Sequence, residues 1–230
     1  MPAVTVLDHL PIALGCRIGR PRPVDFRSLL GRVAWYGLPE AVRRRFDETT
    51  HHTARAYPGR MAVRANAAGR LLAHALRLVG TPLAPFTGED VPCTVEVRGD
   101  GQGGIVWERE YRFPGHAALQ VASTKRSDLD GRLVEVVRGG LGMTLKVSVE
   151  DGALHFRSDR YFAEVLGLRI WFHPLLTPGA AHVVHEDRAH VEGPGWFRFA
   201  LRFRHPWLGE TFFQEGLFRD PLDLTPETRP

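Results

Sequence analysis

The sequence predicts an α+β fold in which N-terminal helices pack on a large, curved antiparallel β-meander, forming a barrel or half-barrel. Three observations carry this. Helical periodicity is confined to residues 26–90; from Val91 onward alternating apolar and polar segments follow one another; and the turns between those segments are short. Short turns join antiparallel neighbours, and many twisted antiparallel strands curl until their edges meet or are covered. The expected organisation is a Pro-rich arm over 1–25, one domain over 26–220 (helical part 26–90, meander 91–220) and a loose tail over 221–230. No internal repeat is visible.

Composition narrows the class. A chain of 230 residues with 43% hydrophobic content buries a core without staples. Cys16 and Cys93 stand far apart in no metal or redox spacing, which points to a reducing, cytoplasmic setting. No run approaches the roughly 18 apolar residues of a membrane helix, and the N-terminus lacks the basic start and cleavage site of a signal peptide. No transmembrane segment is therefore expected. The net charge of +4 comes from arginines scattered among acids, so no specific nucleic-acid partner is expected.

In the arm, Val4–Leu7 reads as a short strand. Asp25 is placed to cap a helix from Phe26 carrying Leu29, Leu30, Val33 and Ala34 at helical spacing. Leu38-Pro39-Glu40 starts a second helix through Phe46, with Arg43, Arg44 and Arg45 on its wetter faces. Tyr57-Pro58-Gly59 is a turn signal, followed by a short strand at Met61 and Val63. Ala67–Val79 is a helix with Leu71, Leu72, Ala75, Leu76 and Val79 on one face, stopped by Gly80.

In the meander, Cys93, Val95 and Val97 share a strand face. After the Gly99–Gly104 loop, Ile105, Trp107, Arg109, Tyr111 and Phe113 form the most regular stripe in the chain. Leu119, Val121 and Ser123 follow, then a strand over 132–138 and a tight turn at Gly139-Gly140. Leu141, Met143, Leu145, Val147 and Val149 alternate up to the hairpin signal Asp151-Gly152, and Leu154 and Phe156 lead the next strand. The apolar stretch 165–172, a strand over 180–191, the stripe Phe197 to Phe203 and a last strand over 210–218 complete the pattern.

Several pieces together resemble the bacterial family called domain of unknown function 4166. They are Leu38-Pro39, Gly59-Arg60-Met61 with Val63, Gly69-Arg70-Leu71-Leu72, Val91-Pro92, Trp107-Glu108-Arg109 with Phe113, Leu133-Val134-Glu135, and Pro174-Leu175-Leu176. Glu186, the strand Phe197–Phe203, Pro206, Gly209 and Gly216 complete the set, so the resemblance spans about residues 25–220. It implies no assigned activity and no catalytic residue. Because some relatives carry the domain after a saccharopine-dehydrogenase-like nucleotide-binding domain, it also implies association with a nucleotide-binding reductase.

The familiar chemical motifs do not hold. Gly99-Asp100-Gly101-Gln102-Gly103-Gly104 matches G-x-G-x-x-G in letters, but a strand follows where a dinucleotide site needs a helix. His182, Glu186 and His190 share a strand face, yet four residues of strand span about 13 Å, too far for one ion. No nucleophile elbow occurs. Neither a metal nor a cofactor is expected.

What remains is Arg109, a cation within an apolar stripe. A buried cation needs a carboxylate partner or a polar occupant. Glu135, sharing a face with Leu133 and Val137, is the first candidate; Glu215, beside Phe213 and Leu217, and Glu186 are the others. With Trp107, Tyr111, Met143, Phe156 and Phe199 they outline an interior site for a small, partly apolar ligand whose anionic group meets Arg109. The competing readings are an enzyme or enzyme subunit using Glu135 or another interior carboxylate, and a structural domain without a pocket. Whether the sheet encloses a cavity separates them.

Overall fold

The computed structural model describes residues 12–16, 23–47, 53–77, 83–166 and 168–221. The expected strand at Val4–Leu7, the pair His51-His52, the helix stop at Gly80 and most of the tail lie outside the described residues. Twelve strands form one antiparallel sheet: β1 (Ile12–Cys16), β2 (Arg55–Ala65), β3 (Gly88–Gly99), β4 (Ile105–Tyr111), β5 (Leu119–Ser127), β6 (Leu133–Val137), β7 (Leu141–Glu150), β8 (Ala153–Val165), β9 (Leu168–Phe172), β10 (Ala180–Asp187), β11 (Trp196–His205) and β12 (Gly209–Arg219). Their order is β1-β9-β8-β10-β11-β12-β2-β3-β4-β5-β6-β7. Because β7 also pairs with β8, ten strands close into a barrel.

Along one edge β8 changes neighbour. Leu154–Arg157 pair with β10, whereas Phe162–Val165 pair with β9, to which β1 is added. Between those stretches the wall is held by side chains: Ser158 Oγ accepts from the Ala181 amide (2.8 Å), and the Tyr161 hydroxyl donates to the Gly179 carbonyl (2.6 Å).

Two groups of helices cover the ends. At one end lie α1 (Phe26–Leu30), α2 (Arg32–Gly37) and α3 (Glu40–Phe46). The expected cap on α1 is present, Asp25 accepting from the Ser28 amide at 3.0 Å. The helix does not run on to Ala34, however: Gly31, at φ +76°, breaks it into two short pieces. These helices insert Phe26 and Phe46 into the barrel against Phe156. Arg45, expected on a wet face, is buried with its guanidinium 4.2 Å from the Phe197 ring centre, because α3 ends against the barrel rim.

At the other end α4 (Ala67–Leu76) is capped by Asn66, which accepts from the Gly69 amide at 2.8 Å. Its packing face differs from the expected one. Gly69 and Ala73 are buried, Leu72 and Leu76 are half-buried, and Leu71 is exposed. Gly69 decides this: a Cβ there would sit 1.8 Å from the Thr211 carbonyl oxygen, so only glycine lets the helix lie this close to β12.

The expected turn at Tyr57-Pro58-Gly59 is instead part of the 11-residue β2. Pairing with β12 ends at Gly59, one residue from the proline, so the strand tolerates a missing N–H there. The last expected strand segment before Gly193 also shortens: β10 ends at Asp187, and α5 (Ala189–Glu192) follows. The Gly99–Gly104 segment is a hairpin loop, closed by the Asp100 amide donating to the Gly104 carbonyl. No helix among the described residues is long and apolar enough to cross a membrane.

Candidate functional site

The barrel interior holds a cavity of about 180 Å³. Val95, Val183, Phe199, Leu201 and Phe203 give it apolar walls, and Leu72 and Leu76 of α4 with Leu176 lie across its far end. Among its polar lining residues, Arg109, Ser123, Lys125 and Glu135 come from three adjacent strands. Strand register brings them together: Ser123 is opposite Trp107, and Lys125 is opposite Glu135.

The contacts form a short chain. Arg109 donates through Nη2 to Ser123 Oγ at 3.3 Å, and the Ser123 hydroxyl donates to Glu135 Oε1 at 2.6 Å. Lys125 Nζ lies 3.2 Å from Glu135 Oε2. The ammonium also sits 5.2 Å from the Trp107 ring centre and 5.5 Å from that of Phe156. Arg109 is thus linked to Glu135 through a serine, while a lysine takes the direct ion pair. Of five guanidinium donors, Arg109 uses one among the described residues, and its Nε has no partner.

Two cations therefore share one carboxylate, and the protonation behaviour follows. Burial alone would raise the Glu135 pKa, but Lys125, the Ser123 hydroxyl and Arg109 outweigh it and hold the carboxyl below its usual range. Burial lowers the Lys125 pKa, and Arg109 adds to this against the opposing pull of Glu135. Burial dominates at Lys125, whereas at Glu135 the neighbouring cations and the serine hydroxyl outweigh it. Nearby, burial pushes the Cys93 thiol up to about 12, so it behaves as a small apolar side chain.

His185 is fully enclosed on the cavity lining, 4.9 Å from the Phe46 ring centre and 5.1 Å from that of Phe199. Burial, then Lys125, Arg45 and Arg109, hold its pKa well below 6.5, so the ring is neutral. The unfolded chain binds a proton at this position near pH 6.5 and the folded chain does not. Its influence is nil above that pH, and stability falls as the pH drops, by about 1.4 kcal/mol per pH unit, until the folded pKa is reached. His182, also lowered and 2.9 Å from His155, acts in the same direction from the outer face. We expect the urea midpoint to fall between pH 7 and pH 5, and to fall less steeply in His185→Phe; an unchanged slope in that variant would remove His185 from the explanation.

The residues expected from sequence divide in three. Trp107, Arg109, Glu135, Met143 and Phe199 line the cavity. Tyr111 and Phe156 point inward but are covered: the Tyr111 hydroxyl donates to Gln214 Oε1 at 2.8 Å, and Phe156 packs under Phe26 and Phe46. Glu186 and Glu215 lie on the outer surface, where both pair with Arg198. They share the partly exposed face of β10 and β12: contrary to the expectation from sequence, the stripe Phe213, Glu215 and Leu217 is an outer one. Its Phe213 receives Arg202 at 5.3 Å.

Sequence reasoning missed Ser123, Lys125 and His185. Lys125 had a readable signal, because the stripe Val121–Ser123 continues onto it two residues later.

A protein-family model matches residues 38–218. The chain belongs to the family described as a domain of unknown function, DUF4166. No curated protein matches it. In this DUF4166 chain the matched segment contains all ten barrel strands but for Arg219, the last residue of β12, and every residue of the Arg109–Ser123–Glu135–Lys125 chain. Helices α1 and α2 precede it, so one aromatic of the plug, Phe26, comes from outside the matched segment.

Proposed function

We propose that this DUF4166 barrel binds a small amphipathic carboxylate, with the anionic group on Arg109 and Lys125 and the apolar part along Val95, Phe199, Leu201 and Phe203. The observation that carries this reading is the imbalance at the charged end of a mainly apolar cavity: two buried cations, one carboxylate, and a guanidinium with most of its donors unused. An anionic ligand would supply the missing acceptors to Arg109 and a second counter-charge to Lys125, whose pKa burial lowers.

Size limits the ligand. An engineered apolar cavity of about 150 Å³ admits benzene, while drug-sized ligands occupy roughly 300–1,000 Å³. At about 180 Å³ this cavity suits a monocyclic or short-chain carboxylate. Binding is favoured over acid–base catalysis by Glu135, because a general acid at neutral pH needs a raised pKa and Glu135 has a lowered one.

Calorimetric titration with benzoate and octanoate, and with benzyl alcohol and octanol as uncharged counterparts, tests this. The carboxylates should bind and the alcohols should bind weakly. Arg109→Leu should lower carboxylate affinity about 10- to 100-fold, the value of one charge-assisted hydrogen bond. Equal binding of alcohol and acid, or an Arg109→Leu variant that binds as the native chain does, would rule out the anion clamp.

A further inference from the structure

In an up-and-down barrel alternate turns gather at opposite ends. The end away from α1–α3 is built from α4, the β8–β9 turn, the 174–178 segment and the β11–β12 turn. These pieces are bonded into one rim. Asn66 Nδ2 donates to the Leu208 carbonyl (3.0 Å), the Thr211 hydroxyl donates to the Pro178 carbonyl (2.7 Å), and His205 Nε2 lies 3.4 Å from the Leu175 carbonyl. The rim exposes Leu71, Leu166, Leu168, Leu176, Trp207 and Leu208. Leu166 is 98% exposed and Trp207 76%, each at the tip of a turn.

Charge is sorted on the same end. Its acids, Glu89, Asp90, Glu110, Glu164 and Glu210, are all in ion pairs. Its arginines Arg70, Arg77, Arg138 and Arg204, and Arg160 stacked on Trp171, have no carboxylate within salt-bridge distance among the described residues. At the α1–α3 end unpaired charges of both signs occur among the described residues, Arg27, Arg32, Arg43 and Arg132 with Glu40, Asp100, Asp151 and Glu192, so it is at the rim that unpaired cations face no unpaired acid.

We propose that this rim docks on an anionic lipid bilayer, with Trp207 and the leucines entering the interface and the arginines meeting lipid phosphates. Tryptophan favours the headgroup level, and arginine matches phosphate geometry. A bilayer fits the spread of the patch: its apolar side chains stand on separate pieces of the rim, Leu71 on α4, Leu166 and Leu168 at the β8–β9 turn, Leu176 in the 174–178 segment and Trp207 and Leu208 in the β11–β12 turn, and a fluid interface meets them all at once. Arginines near an anionic surface add a salt-sensitive attraction. The proposal stands apart from the ligand reading. The two meet in geometry, because the cavity's far end lies under Leu72, Leu76 and Leu176, on this side of the barrel.

Vesicle co-sedimentation of the full chain tests it, with phosphatidylcholine vesicles and with vesicles that also contain phosphatidylserine. The chain should bind the anionic vesicles and not the neutral ones, and added salt should release it. Each arginine near such a surface is worth roughly fivefold in partitioning, so Arg70→Glu with Arg204→Glu should reduce binding about 25-fold or more. Trp207→Ser with Leu176→Ser should also release the chain, and Val33→Ser at the opposite end should not. Each variant is checked by circular dichroism and melting temperature. Absence of binding to anionic vesicles, equal binding to neutral ones, equal loss in Val33→Ser, or a dimer formed through the rim with no vesicle binding would each overturn it. Benzoate binding is unaffected by any of these outcomes, so the two proposals fail separately.

Discussion

Lys125→Met lowers the stability of the fold by about 3–5 kcal/mol, the usual cost of removing one member of a buried ion pair. The methionine keeps the length and packing of the lysine stem against Trp107 and Phe156, so the loss is electrostatic. It falls on Glu135, which stays buried with only the Ser123 hydroxyl and the more distant Arg109 to hold its charge. Glu135→Gln in the same chain removes that charge and recovers most of the loss, so urea unfolding of the two single variants and the double variant yields a large coupling. Additive effects would mean that the pair is not a unit.

The pH dependence of Lys125→Met has a defined sign. Without the ammonium the Glu135 pKa rises, because Lys125 is the largest influence that opposes burial there. The variant is therefore penalised most at neutral pH and recovers as the pH falls through the raised pKa, where Glu135 becomes neutral in the folded state. The native chain loses the Glu135 contribution in the same acid range, so the difference between the two narrows from both sides.

The second large effect is Phe46→Ala, expected to cost about 3–5 kcal/mol, as deletion of a fully buried aromatic ring does. Phe46 is the centre of the plug. It stacks on Trp107 at 5.5 Å, meets Phe26 edge-on at 5.2 Å and lies beside both Phe156 and His185. Removing the ring also uncovers His185 from below. With less burial its pKa moves back toward 6.5, and the added acid sensitivity described for the native chain diminishes. Chemical denaturation gives the first effect, and nuclear magnetic resonance titration of the imidazole gives the second. A plug that is only a surface cover would show neither.

Much of this fold is legible in the sequence because the information is local. Stripes such as Ile105–Trp107–Arg109–Tyr111 need only period-two alternation, and Gly139-Gly140 and Asp151-Gly152 mark their own turns. The inward position of Arg109 and Glu135 follows from the same rule, because each sits between apolar residues on one face. The rule fails where a strand is apolar on both faces. On β12, Phe212 and Phe218 point in while Phe213 and Leu217 point out, and the outer pair misplaced Glu215.

By itself, then, the sequence determined that a helical segment precedes a long antiparallel meander, that the meander curls, and that it carries a cation on an inward stripe. Only the tertiary structure decided that β7 meets β8 and closes the barrel, that Lys125 rather than Arg109 holds Glu135, and that Arg45 is buried against Phe197. The physical reason is range. Alternation and turn chemistry act over a few residues, whereas a cation's partner depends on register accumulated across several strands and on which helix end reaches the rim.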